Sequence, residues 1–324
     1  MSGSNDHIGG AARRYGTVTI GEAVTRLRAG GLVAVPTETV YGLAADSTDA
    51  AAVAEIYRAK GRPDFNPLIV HVPDLAAAKK LGQFNAVAVR FAQALWPGPL
   101  TLVVPKTQTC PAAAAVTAGL DTIALRAPAH PVMRELLDAS GLYLAAPSAN
   151  RSGAISPTTA DHVVRSLGAA APLILDGGSC ERGIESTIVA IDGSDFRILR
   201  PGPVTPAQLQ AIAGKPAVTK VSGAIEAPGQ LLSHYAPTKP VRLDAQTAQA
   251  DEYHIGFGPV SGVMNLSASG DLAEAASHLF AALHKAEASE KARIAVAPIT
   301  DGGIGLALND RLRRAAFPKS PPDI

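Results

Sequence analysis

Two cations separated by a single glycine form the first group of residues that could do chemistry. Lys60 and Arg62 end a helix-forming stretch, and Asn66 follows shortly after them. Side chains of this type can converge on phosphate or carboxylate oxygens. The alternative is structural, because Gly61 suits a helix C-cap and basic residues interact favourably with a helix C-terminus. The spacing by itself leaves both interpretations open.

A second group lies on an alternating segment that runs from Thr122 to Arg126. In a strand, this alternation places Thr122, Ala124 and Arg126 on one face. If that face is open to solvent, the pattern has no functional meaning. If it is covered and concave, Arg126 becomes a fixed partner for an anion. Hydroxyl side chains also crowd the segment 36–41, where turn chemistry is the competing explanation.

Small polar residues follow a predicted strand at 142–147. Ser148 and Asn150 occupy a short loop, and Ser156 precedes Pro157 at the start of a predicted helix. Ser156 as N-cap with Pro157 at the first helical position explains that start structurally. A strand end, a tight loop and a helix N-terminus together also present N–H groups and hydroxyls to an anion. Both interpretations can hold together.

Three further signals are weaker. Ser186 begins one predicted strand and Arg200 ends another. His234 and Tyr235 lie in a stretch rich in Pro, Gly, Ala and Ser, where a flexible spacer would not require an aromatic ring and an imidazole. We therefore predict that this linker covers a site in addition to joining two domains.

The overall composition excludes several classes of protein. The 324 residues carry 29 Lys and Arg against 28 Asp and Glu, a net charge of +1 that generates no general attraction to nucleic acid or anionic lipid. The two cysteines form no CxxC pair, which argues against a disulfide scaffold or a zinc site and is typical of a reducing cytoplasm. The sequence contains no apolar run of 18 residues and no GxxxxGK[ST], HExxH or GxSxG motif. We expect a cytoplasmic protein without a membrane segment.

Short β-branched runs alternate with alanine-rich helical stretches, which predicts an α/β (α+β) fold with a strongly twisted mixed sheet. Helices are predicted at 49–60 and 87–95, and strands at 31–36, 67–73, 100–105, 122–126, 142–147, 172–176, 186–191 and 196–200. The predicted organisation is a flexible arm at 1–16, a catalytic domain at 17–212, a linker or lid at 213–240, a smaller α/β domain at 241–318 and a tail at 319–324.

Several ordered blocks, among them KGRPDFNPLIVHV, TIALRAP, PSANRSGAISPTTADHV and ILRPGPV, resemble the YrdC/TsaC family of threonylcarbamoyl-AMP synthases. HYAPTKP and GLALNDRLRRAA resemble the longer form of that family, which has two domains. The resemblance implies a YrdC-like twisted sheet with a concave, positively charged cavity, joined to a Rossmann-like C-terminal domain. One departure is Gln230, at a position where the family pattern has methionine.

The resemblance also implies a reaction, in which L-threonine, bicarbonate and ATP give threonylcarbamoyl-AMP and pyrophosphate for the modification of tRNA. It implies that the threonine moiety is surrounded by Thr39, His71, Arg126, Ala146 and Ser186. It implies that the nucleotide is held by Lys60, Arg62, Asn66, Thr122, Ser148, Asn150, Ser156, Arg200, His234 and Tyr235, with Lys60 and Arg62 as the catalytic cations.

Mg²⁺ is expected to accompany ATP, and a downstream tRNA threonylcarbamoyl transferase is expected to receive the product. Because magnesium commonly binds through phosphates and water, no acidic cage is required in the sequence. Two alternatives are a carbamoyl-transfer module of hydrogenase maturation and a non-catalytic RNA-binding protein. Two cysteines are too few for the zinc segments of the first, and balanced charge with 4% aromatic residues disfavours the second. Direct binding of tRNA stays open.

Overall fold

The computed structural model of the protein describes residues 19–218, 226–229 and 234–317. The arm predicted at 1–16, the tail predicted at 319–324 and Gln230 lie outside the described residues. Within the described part, no helix is both long enough and apolar enough to cross a membrane.

The larger of two sheets has the strand order β7-β1-β2-β6-β3-β5-β4-β8-β9 among the described residues. Its pairings are mixed: β1 and β7 pair in parallel, as do β3 with β5 and β4 with β8, whereas the others are antiparallel. This arrangement confirms the predicted mixed sheet. The strands are β1 (Val33–Val35), β2 (Gly42–Asp46), β3 (Ile69–His71), β4 (Leu100–Pro105), β5 (Thr122–Arg126), β6 (Leu144–Ala145), β7 (Leu173–Ile174), β8 (Thr187–Asp192) and β9 (Asp195–Arg200).

The smaller sheet is parallel throughout and has the order β10-β13-β11-β12 within the described chain. Helix α8 (Leu272–Ala288) packs its apolar stripe, which includes Leu279 and Leu283, into the core beside this sheet. The strands are β10 (Val241–Arg242), β11 (Glu252–Gly256), β12 (Met264–Asn265) and β13 (Arg293–Val296).

The helices that cover the two sheets begin and end at recognisable caps. Helix α2 begins after Asp49, whose carboxylate accepts the N–H groups of Ala51 and Ala52, and ends at Gly61 with φ of 57°. The described helices are α1 (Ile20–Arg28), α2 (Ala50–Lys60), α3 (Leu75–Leu81), α4 (Ala86–Leu95), α5 (Pro131–Ser140), α6 (Ala160–Leu167), α7 (Pro206–Ala213), α8 (Leu272–Ala288) and α9 (Gly305–Ala316). Short 3₁₀ turns occupy Ala114–Thr117 and Gly168–Ala170.

The two sheets share a core at their junction. Val40, Ile155 and Tyr235, which precede the second sheet in sequence, pack with Phe280 and Leu308 of the C-terminal helices in one buried apolar cluster. Burial of apolar surface is the main favourable term in folding. The second unit is therefore joined to the first by packed side chains as well as by the chain itself.

Candidate functional site

A cavity lies on the face of the larger sheet that carries Ala124 and Arg126, at the meeting point of several strand ends. Arg126 is only 3% exposed, so its strand face is covered and the solvent-face interpretation is wrong there. Ten residues singled out in the sequence line the cavity: Thr39, Arg62, His71, Arg126, Ala146, Ser148, Ser186, Arg200, His234 and Tyr235. The remaining five, Lys60, Asn66, Thr122, Asn150 and Ser156, are not part of the lining.

Arg126 is held rigidly at the C-terminal end of β5. Its Nη1 donates to Thr39 Oγ1 at 2.9 Å, and its Nε donates to the carbonyl of Gly98 at 3.3 Å. Its Nη2 lies 2.7 Å from Glu38 Oε1 in a buried ion pair. Burial raises the pKa of Glu38, but Arg126 and backbone N–H groups outweigh it, so the pKa stays below its usual value. The guanidinium is thus fixed before any anion arrives.

His71 ends β3 beside Arg126, since β3 and β5 pair with His71 opposite Arg126. The ring is 2% exposed, and its Nδ1 has no hydrogen-bond partner among the described residues. Burial lowers the pKa of His71 to about 3, and Arg126 adds to this effect. The imidazole is therefore neutral near pH 7, with one nitrogen free to face a ligand.

This depressed pKa predicts a loss of stability in mild acid. The folded-state pKa of His71 lies below the ordinary value of 6.5, so the stabilising contribution is complete above pH 6.5 and is lost as the pH falls toward 3. At pH 5 the loss is about 2 kcal/mol. Urea titrations of wild type and His71→Gln at pH 7 and pH 5 will measure it, with His278→Gln as a control. An unchanged difference between the two pH values in His71→Gln would contradict this assignment.

Lys60 lies beneath the cavity loop and not on its surface. Its Nζ donates to the carbonyl oxygens of Ser148 and Asn150, at 2.5 and 2.6 Å. Asn150 in turn donates through Nδ2 to the carbonyls of Arg151 and Ala154. Burial, reinforced by Arg62, lowers the pKa of Lys60 well below its usual value. In this conformation Lys60 and Asn150 shape the loop that carries Ser148 into the cavity.

Arg62 and Arg200 supply two further buried cations. Arg62 donates to the carbonyls of Asn66 at 3.2 Å and Pro67 at 2.9 Å. Asn66 is 1% exposed, and neither atom of its side-chain amide has a partner within the described chain. Arg200 donates to the carbonyl and the hydroxyl of Ser186, at 3.0 and 3.2 Å. The guanidinium groups of Arg62, Arg126 and Arg200 thus line the cavity, and serine and threonine hydroxyl groups supply another part of its lining.

The segment that carries His234 and Tyr235 covers this cationic cavity. Burial and the cations Arg62, Lys60, Arg200 and Arg311 lower the pKa of His234 well below its usual value, so the ring is neutral. With this segment in place, the free volume of the cavity is about 50 Å³.

Two predicted residues have a different role from the one expected. Ser156 is not an N-cap, because α6 begins at Ala160 and is capped by Thr159. The Ser156 hydroxyl instead donates to Glu185 Oε1 at 2.5 Å. Thr122 lies at the opposite end of β5 from Arg126, about 13 Å away at the usual rise per strand residue. The structure does not bring Thr122 to the cavity lining.

Sequence reasoning missed three charged residues that organise the site: Glu38, Glu185 and Arg311. Glu185 Oε2 accepts Arg311 Nε at 2.8 Å, and Arg311 is fully buried. The Arg311 guanidinium also lies 5.1 Å from the centroid of the Tyr235 ring, a cation–π distance. Glu38 stands in the segment 36–41 with its hydroxyl side chains, and Arg311 stands in the motif GLALNDRLRRAA, but no local pattern pairs either residue with its partner.

The amino-acid sequence matches two family models and several named proteins. A family model described as telomere recombination matches residues 25–202, and one described as threonylcarbamoyl-AMP synthase, C-terminal domain, matches residues 204–317. The chain is 37% identical over 321 residues to a Bacillus subtilis protein named threonylcarbamoyl-AMP synthase, covering 92% of each chain. It is 36% identical to a protein of the same name from Pyrococcus abyssi, covering 90% of this chain and 92% of that one.

A solved structure shows the same arrangement of both domains. The Pyrococcus abyssi protein Sua5, crystallised with L-threonine, superposes with a TM-score of 0.82 at 32% identity. The match covers 94% of this chain and 96% of that one.

Proposed function

The chain belongs to the threonylcarbamoyl-AMP synthase family, and we propose that its cavity condenses L-threonine, bicarbonate and ATP into threonylcarbamoyl-AMP and pyrophosphate. One observation carries the proposal: three buried guanidiniums converge on a hydroxyl-lined cavity. In addition, a relative with the same architecture has been crystallised with L-threonine. We propose a cytoplasmic setting, which is compatible with the free thiols of Cys110 and Cys180.

The threonine moiety fits the Arg126 side of the cavity. A guanidinium fixed by Thr39, Glu38 and Gly98 is pre-organised to bind a carboxylate with its remaining N–H groups. The neutral His71 beside it can accept a hydrogen bond from an ammonium or hydroxyl group. We therefore place the amino acid between β3, β5 and the end of β1.

The nucleotide fits the side that carries Arg62, Arg200 and Ser148. In the proposed reaction a carbamate on the threonine amine attacks the α-phosphorus of ATP, and the leaving group is pyrophosphate. The enzyme contributes by aligning the two reactants and by stabilising charge on the phosphoryl oxygens, which requires cations but no protein nucleophile. The product is a mixed anhydride, so a transferase that acylates a tRNA base is the class of enzyme that must consume it.

Mg²⁺ is proposed to enter with the triphosphate. The described residues hold no group of three or more His, Cys, Asp or Glu side chains that could bind a metal ion. Glu185 lines the cavity and Glu38 lies beside Arg126, but Arg311 and Arg126 already pair with these two carboxylates. Because the carboxylates at the cavity are already paired with arginines, the ligands of a magnesium ion would be phosphate oxygens and water. Bound in that way, the ion supplies charge neutralisation to the triphosphate.

ATP entry requires displacement of the covering segment. Sites for small molecules occupy about 300–1,000 Å³, whereas the cavity has about 50 Å³ free. Pro228, Gly229, His234 and Tyr235 form part of its lining. We propose that these residues move away for ATP and return to contact it.

The reaction itself provides the test of this function. Pyrophosphate release, followed with a coupled phosphate assay, is expected only when L-threonine, bicarbonate, ATP and Mg²⁺ are all present. Mass spectrometry of the quenched mixture should detect threonylcarbamoyl-AMP in equal amount. Release that persists without threonine or without bicarbonate would refute the proposal.

Arg62→Ala is expected to lower kcat/KM for ATP about 10²–10³-fold, because it removes a pre-organised cation from the phosphate side. Lys60→Ala is expected to lower both activity and melting temperature, since Lys60 bonds two carbonyls of the Ser148 loop. Steady-state kinetics and thermal melts will measure both. Arg58→Ala is the matched control, because that side chain is 74% exposed on the same helix. Wild-type kinetics in Arg62→Ala would remove this residue from the site.

A further inference from the structure

A second cavity of about 280 Å³ lies at the junction of the two domains. Its walls come from the loop at 151–155, from helix α6, from the segment 236–238 and from the last turns of helix α8. Ala236 donates its N–H to the carbonyl of Gly153 at 2.8 Å, which closes one end. This cavity shares no lining residue with the substrate cavity.

The lining combines an apolar floor with cations at the rim. Ala154, Ile155, Ala236, Pro237 and Ala288 supply apolar surface. A lining of this kind, with a few convergent polar groups, is typical of small-molecule sites.

The rim charges are arginine side chains. Arg151 and Arg165 are exposed, and in the part of the chain that the structure describes neither lies within 4.0 Å of a carboxylate. The acid of this cavity, Glu287, has both oxygens engaged by Thr238 and Lys239. The lining therefore carries two guanidiniums without a carboxylate partner and one carboxylate held by neutral donors, so its net formal charge is positive.

The imidazole that lines the cavity adds no acid and no cation near neutral pH. His284 stacks on His162 with ring centroids 3.8 Å apart, and its Nε2 lies 3.1 Å from the carbonyl of Ser156. Burial lowers the pKa of His284 to about 4, and Arg165 contributes to that shift. The positive charge at the rim thus belongs to the two arginines.

We propose that this junction cavity binds a small amphipathic anion, with its apolar body against the alanine and proline side chains and a phosphate or carboxylate head near Arg151 and Arg165. Guanidinium groups match both head groups in geometry and charge. A neutral apolar ligand makes no ion pair with the two arginines. An inorganic anion buries none of the apolar lining. Each is therefore expected to bind more weakly than a ligand with both parts.

Titration calorimetry with 1-naphthyl phosphate tests this proposal, in the presence of L-threonine and α,β-methylene-ATP so that the substrate cavity is filled. One equivalent is expected to bind, with a Kd on the order of 0.1–1 mM for a ligand of this size. Neutral 1-naphthol and inorganic phosphate are each expected to bind at least about 10-fold more weakly. Naphthoic acid in a parallel titration distinguishes a carboxylate head from a phosphate head.

Variants locate the binding. Arg151→Gln and Arg165→Gln are each expected to weaken binding by up to about 5-fold, the upper end of the usual range for exposed charge pairs. Ala288→Trp should abolish it by filling the cavity from an exposed position on α8. Arg58→Gln, at an exposed arginine that does not line the cavity, is the matched control and should bind as wild type does. Absence of saturable binding, equal binding of inorganic phosphate, or unchanged binding in Ala288→Trp would overturn the proposal.

Discussion

Replacing Arg126 with alanine is expected to lower kcat/KM for L-threonine about 10²–10³-fold, the range for loss of one pre-organised charged donor. The same change is expected to reduce the free energy of unfolding by about 3–5 kcal/mol, because Glu38 is left buried without its partner. Pyrophosphate release at varied threonine concentration measures the first effect, and urea denaturation measures the second.

A paired variant separates catalysis from stability at this position. Arg126→Gln with Glu38→Gln removes both charges, so most of the lost stability should return while activity stays low. Arg126→Lys keeps a charge but cannot reach Thr39, Glu38 and Gly98 together, so activity should recover only in part. A threonine KM that stays at the wild-type value in Arg126→Ala would contradict the proposed carboxylate contact.

The second large effect is expected at Arg311, which lies far from the first domain in sequence. Arg311→Ala leaves Glu185 without its ion-pair partner and removes the cation beneath the Tyr235 ring. We expect a loss of about 3–5 kcal/mol in the free energy of unfolding. Activity should fall as well, because Glu185 and Tyr235 both line the substrate cavity.

Arg313→Ala is the matched control on the same helix. That side chain is 64% exposed and lies 3.5 Å from Asp301, an arrangement that contributes little to stability. Guanidinium denaturation of the two variants will compare them directly, and pyrophosphate release will compare their activity. Equal midpoints for Arg311→Ala and Arg313→Ala would contradict the expected contribution of the buried ion pair to stability.

Local patterns in the sequence predicted the parts of the site that depend on local structure. Alternation along 122–126 placed Arg126 and Ala124 on one face, and the structure shows that this face is covered, as is the opposite face with Ile123 and Leu125. The glycine after Lys60 predicted the end of α2, which is confirmed by a left-handed Gly61. These features follow from side-chain period and glycine conformation, which short segments encode.

Other parts depend on chain segments that meet only in the fold. Glu185 and Arg311 are 126 residues apart, and no local pattern pairs them. Strand β2 has the sequence GLAAD, with no β-branched or aromatic residue, so its composition does not indicate a strand. Ser156 carried a plausible N-cap signal, but Glu185 takes its hydroxyl and Thr159 caps the helix instead. Tertiary partners overrode the local preference in each case.

The apolar cluster at the junction has a consequence for cooperativity. Tyr235, Ile155 and Val40 are buried by helices α8 and α9, so melting of the C-terminal unit removes the support of the covering segment and of one cavity wall. Opening free energies follow such contiguous packed units and not sequence boundaries. We therefore expect the substrate cavity and the C-terminal unit to unfold as one cooperative unit.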